Sequence, residues 1–103
     1  MSAANPARGE AALTVRGEAV TLRPSFAALV AAEGELGSLF ALVERAAAGE
    51  LTLAEMAGLF WHCLVDPPEG LDREALGEAV AAAGLAQAAP VLKAILRQIL
   101  AGR

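Results

Sequence analysis

The hydrophobic pattern of this chain changes period once, at Pro24, and that change constrains the fold more than any other feature. Before it, Glu10-Ala-Ala-Leu-Thr-Val-Arg16 and Ala19-Val-Thr-Leu-Arg23 flank Gly17-Glu18. Leu13 and Val15 share one face of the first run, and Val20 and Leu22 share one face of the second. Alternation of this kind on both sides of a two-residue turn with Gly in its first position predicts a β-hairpin closed by a type II′ turn at Gly17-Glu18. An isolated hairpin is marginal in water, so its apolar face is expected to pack on the helices C-terminal to it.

After Pro24 the spacing becomes helical. Ser25 can cap a first helix whose apolar stripe is Phe26, Leu29 and Val30. Gly34 and Gly37 bracket a break. Ser38 can cap a second helix, with Leu39, Leu42, Val43 and Ala46 on one side and a stop near Gly49. Thr52-Leu-Ala-Glu55 reads as a capping box, in which Thr52 serves the free amides of the first turn and Glu55 reaches back. The third helix then places Leu53, Met56, Ala57, Phe60 and Leu64 at core spacing, and Asp66-Pro67-Pro68 ends it. A fourth helix is expected from Leu71 or Asp72, burying Leu76, Ala79, Val80 and Ala83 before Gly84. A fifth spans about Ala86 to Ala101, with Pro90 moving its start nearer Ala88. The fold class is therefore α+β, mainly α: an N-terminal hairpin followed by a compact bundle of about five short helices. Residues 1–9 read as a flexible lead-in and 10–103 as one domain, the expected number for 103 residues.

Composition excludes several kinds of work. Hydrophobic residues make up 56% of the chain, too many for a disordered protein, whereas aromatics are only 4%, too few for base or sugar stacking. The net charge of −4 repels phosphate backbones, Lys93 is the only lysine, and the arginines are scattered, so no nucleic-acid partner is expected. A helix-turn-helix reading of the second and third helices fails because Thr52 to Val65 carries no Arg, Lys, Asn or Gln with which to read bases. No apolar run approaches the ~20 residues needed to cross a bilayer, and no secretory h-region follows Met1. The expected location is the cytoplasm, with no membrane partner.

Nothing in the residues predicts catalysis. His62 and Cys63 are helix neighbours that point about 100° apart, so they cannot act as a base and nucleophile pair. Cys63 reads as a small core filler and His62 as a partly exposed helix residue. One His and one Cys leave a metal at least two ligands short, so no metal and no cofactor is expected. Glu33, Glu35, Glu44, Glu50 and Glu55 read as solvated charges, and no phosphate-binding glycine loop is present. What the chain has in excess is apolar helix surface. Trp61 lies one residue off the Met56–Phe60 stripe, beside Leu59, and is either covered by a neighbouring element or part of a partner-binding patch. The stripe Val91, Leu92, Ile95, Leu96, Ile99 and Leu100 is wide enough to serve the core and leave a margin for another chain. The candidate partner-binding residues are Leu59, Trp61, Leu92, Leu96 and Leu100, and a homo-oligomer is a further possibility through an open strand edge.

The order of segments carries a resemblance. Arg8-Gly-Glu-Ala-Ala-Leu-Thr-Val leads into Leu22-Arg-Pro-Ser-Phe-Ala-Ala-Leu. Next come Glu33-Gly-Glu-Leu-Gly-Ser-Leu, Gly49-Glu-Leu-Thr-Leu-Ala-Glu-Met and Gly84-Leu-Ala before the last helix. From about Arg8 to Leu100 the chain resembles the small protein encoded in the tail region of alphaproteobacterial gene transfer agents and related phages. That family carries two labels, tail tube protein and tail assembly chaperone. The resemblance implies a chaperone that binds and shields a tape-measure-type helical protein during tail assembly, or alternatively a structural, tube-associated component retained in the particle. It supplies no catalytic residues.

Overall fold

A computed structural model describes residues 4–5 and 9–101. The lead-in expected over residues 1–9 falls largely outside that range. Strands β1 (Ala11–Val15) and β2 (Glu18–Leu22) form the antiparallel hairpin, and five helices follow: α1 (Phe26–Leu36), α2 (Leu39–Ala47), α3 (Leu53–Cys63), α4 (Arg73–Ala83) and α5 (Leu85–Ala101). A third strand, β3 (Leu64–Val65), pairs antiparallel with β2 and completes a sheet of order β1-β2-β3. It begins directly at the end of α3. Two residues are too few to show any period, so periodicity alone left them inside the helix.

The hairpin turn differs from the expected one. Val15 pairs with Glu18, so Arg16-Gly17 forms the turn, with φ of 55° and 79°. Positive φ at both central residues makes it type I′, in which Gly17 takes the second position at no steric cost. Leu13 faces Val20 instead of Leu22. That is a two-residue slip, which leaves every side chain on its predicted face; alternation alone therefore could not tell the two registers apart.

Side chains start four of the helices in the same way. Ser25 Oγ accepts from Ala28 N at 3.2 Å and Ser38 Oγ from Ala41 N at 3.3 Å. Thr52 Oγ1 accepts from Glu55 N at 3.1 Å, while Glu55 returns to Thr52 N at 3.0 Å and completes the capping box. Asp72 Oδ1 accepts from Ala75 N at 2.8 Å. Each bond satisfies an amide that the first helical turn leaves without a partner. The fifth helix begins earlier than expected, at Leu85, and Pro90 lies inside it. Its first turn closes on the Gly84 carbonyl, which accepts from Gln87 N and Ala88 N, and Ala88 is buried at 1% exposure. Leu85, Ala86 and Gln87 of that turn are exposed, so the bonds to Gly84 and the burial of Ala88 are what hold the helix start ahead of the proline, which itself can donate no bond.

The centre of the domain is α3. Met56, Ala57, Gly58, Leu59, Phe60 and Cys63 are all buried, because α1 and α4 pack on this helix from different sides. Leu13, Val15, Val20 and Leu22 of the hairpin, Leu42 of α2, Leu76 and Val80 of α4, and Leu92 and Ile95 of α5 close the same core. Leu53, placed at core spacing, is instead 42% exposed, and Ala83 is exposed at the end of α4.

The first helix turns its expected stripe outward. Phe26 is 85% and Val30 52% exposed, whereas Ala28 and Ala32 are buried and Leu36 is half-buried. The reason is distance: two alanines let α1 lie close against α3, and Leu36 reaches as far as the bare backbone of Gly58. A phenylalanine on that face would hold the two helices apart.

Candidate functional site

The outward turn of α1 builds the most distinctive surface of the molecule. Leu29 and Glu33 stand one turn apart on α1, and α2 meets that helix at a bend of 77°. From α2 come Leu39, Phe40 and Val43, and the end of α5 adds Ile99 and Leu100. Together these seven side chains line a groove of about 250 Å³. Phe40 is 78% and Leu100 61% exposed, and Phe26 and Val30 extend the apolar surface along α1. Six of the seven lining residues are apolar and Glu33 is the exception, so what this site offers chemically is burial of an apolar partner surface beside one carboxylate.

Of the five residues singled out from sequence, the structure brings only Leu100 to this groove. Leu59 is fully buried and Leu92 is 9% exposed, so neither can meet a partner while the fold stands. Both are core residues: α1 and α4 pack on α3, and α5 packs against β1 and α4. Trp61 and Leu96 are half-buried against the core and do not line the groove. The residues missed were Phe26, Val30 and Phe40. Phe40 carried a readable signal, as a large apolar side chain outside the Leu39–Leu42–Val43 stripe of its own helix. Phe26 and Val30 carried none, because a stripe at helical spacing looks the same whether it faces a core or solvent.

A model of the family described as phage tail tube protein, GTA-gp10, matches residues 8–102. The chain belongs to this family. No curated protein and no solved structure matches it. In this GTA-gp10 family member the groove is thus set within a chain matched almost from end to end.

A second cluster lies where α1, α3 and α4 meet. Arg73 of α4 donates through both Nη atoms to the two carboxylate oxygens of Glu35, at 2.6 Å for Nη1 to Oε1, and His62 Nε2 lies 2.7 Å from Oε1. Gly58 leaves room for this placement: a Cβ there would stand 2.6 Å from Arg73 Nη2, and the guanidinium would have to shift. Glu35 and Glu55, read from sequence as solvated charges, are therefore ion-paired. Residues 38 apart in the chain cannot be matched by local spacing. Glu55 is held by Arg45 of α2, whose Nη2 lies 2.5 Å from Oε2, as well as by the capping box.

The hydrogen bonds from Arg73, then from His62, hold the Glu35 carboxyl down at about 2, and those from Arg45 and Thr52 do the same for Glu55. Both groups ionise more readily in the folded chain than in the unfolded one, where the ordinary value is 4.5. Their contribution to stability is present above that value and is lost as pH falls through about 2, since the unfolded chain takes up the protons first. Urea midpoints of this family member are therefore expected to fall on acidification over this window, and to fall less steeply in Glu35→Gln. A variant with an unchanged slope would show that the Arg73 pairing contributes nothing, as many surface ion pairs do.

Cys63 is separate from this cluster. Burial alone pushes its thiol up to about 12, which keeps it protonated at neutral pH. The His62 ring beside it in sequence is held by Glu35 instead. Among the described residues no group of three or more His, Cys, Asp or Glu side chains is placed to hold a metal ion, and no helix is long and apolar enough to cross a membrane.

Proposed function

We propose that this GTA-gp10 family member is a tail assembly chaperone, which shields a helical, tape-measure-type protein until the tail is built around it. The observation that carries this reading is the open apolar groove between α1, α2 and α5, with Phe40 and Leu100 presented at its mouth. An amphipathic helix can lay its apolar face into such a groove, and a long helical protein waiting for its sheath needs that face covered. On this reading the chain runs no reaction, takes no cofactor and binds protein instead of nucleic acid.

A second reading, favoured by the family's description as a tail tube protein, makes the chain a tube-associated component retained in the particle. Against it stands the sheet, whose longest strands are five residues and whose third strand has two. Closing a ring through sheet edges calls for longer ladders. Mass spectrometry of purified particles separates the two. The chaperone is expected to be absent or far below one copy per tube subunit, and stoichiometric recovery would falsify it.

A further inference from the structure

We infer that the groove between α1, α2 and α5 selects a cationic amphipathic helix, seating an apolar side chain among Leu39, Phe40 and Leu100 and a Lys or Arg against Glu33. This rests on the chaperone reading, in that it takes the partner to be helical, and adds the partner's charge. Glu33 is the single charged residue of the groove lining. Its Oε2 accepts from Leu39 N at 3.1 Å, a bond that fixes the carboxylate at the start of α2. None of the ion pairs among the described residues neutralises it.

The charges on the α1 and α2 side of the groove point the same way. Glu44 stands one turn beyond Phe40 on α2 and is exposed, and α1 carries no Lys or Arg. Arg45, the basic residue of α2, is engaged by Glu55. On α5, Lys93 and Arg97 are exposed, Arg97 one turn before Leu100, so the acidic side of the groove is its α1–α2 wall. A carboxylate held beside an apolar wall repels an acidic helix and attracts a basic one, and because Glu33 is exposed both effects are screened by salt. The same charges argue against a second copy of this chain as the occupant. Two copies, each of net charge −4, would bring Glu33 and Glu44 towards their own kind.

The test uses the full chain and two fluorescent synthetic helices with the same leucine face, one flanked by Lys and the other by Glu, followed by anisotropy. At low salt the Lys helix is expected to bind at least about tenfold more tightly, with the gap closing at high salt. Glu33→Gln should weaken the Lys helix by about threefold and leave the Glu helix unweakened. Glutamine keeps an oxygen for Leu39 N–H, so the start of α2 survives the change, and circular dichroism with thermal melting checks this. Equal affinity for the two helices overturns the charge selection while leaving a helix-binding groove in place. Binding of neither helix overturns the inference at its base, as does sedimentation of a dimer that Phe40→Ser dissociates, which would make a second copy the occupant. Recovery of the chain in finished particles bears on the chaperone reading alone, so the two failures are distinguishable.

Discussion

Phe60→Ala is expected to lower the unfolding free energy by about 3–5 kcal/mol, the largest single effect in this domain. Phe60 is fully buried on α3, which packs against α1 and α4. Truncation removes the transfer free energy of the ring and leaves a cavity. Refilling it would require α1, α4 or the sheet to move, and the same buried contacts hold each of them in place. Domains of this size are stable by roughly 5–15 kcal/mol, so the variant forfeits a large share of the total. Urea denaturation followed by far-ultraviolet circular dichroism measures the loss. Leu53→Ala, at a 42% exposed position on the same helix, provides the control and should change stability by no more than about 0.5 kcal/mol. A loss below about 1 kcal/mol for Phe60→Ala would mean that α3 is not the hub around which the core is built.

The second large effect concerns binding. In the double variant Phe40→Ser, Leu100→Ser, affinity for a tape-measure-type helical segment is expected to fall by at least about 30-fold, corresponding to about 2 kcal/mol. Both side chains line the groove and are more than half exposed, so their removal takes away the two most exposed apolar side chains of its wall while creating no cavity. The urea midpoint should stay where it is. Leu59→Ala provides the reciprocal case, because that side chain is sealed in the core: it should cost about 2–5 kcal/mol of stability through the core and alter binding only through unfolding. Titration calorimetry on the folded variants distinguishes the two kinds of change. Undiminished binding by the double variant would place the partner surface elsewhere, with Trp61 and Leu96, both half-buried, the next residues to truncate.

Features written within a few residues of one another were legible in the sequence. Ser25, Ser38 and Thr52 with Glu55 each start a helix through a bond to the amide three residues on, and Asp72, one of the two starts expected for the fourth helix, does the same. Such a bond depends on side-chain reach and helical geometry, both of which are local. Leu13, Val15, Val20 and Leu22 showed which face of the hairpin is buried, because alternation survives the two-residue slip that moved the turn to Arg16-Gly17. The resemblance in segment order led to the family whose model matches residues 8–102. The site was far less legible, since only Leu100 of the five candidate residues lies in the groove.

What local chemistry determined, then, was the set of elements, their starts and the class of fold. Which way those elements face was decided only by the tertiary structure. Phe26 and Val30 have core spacing yet lie in solvent, because Ala28 and Ala32 let α1 approach α3 more closely than large side chains could. The Glu35–Arg73 pair joins residues 38 apart in the chain, and its guanidinium lies over Gly58, where a Cβ would displace it. A helix can bury either of two faces at similar local cost, and the choice depends on the shape of a neighbour brought close by the rest of the chain. In this molecule that choice is what opened the groove.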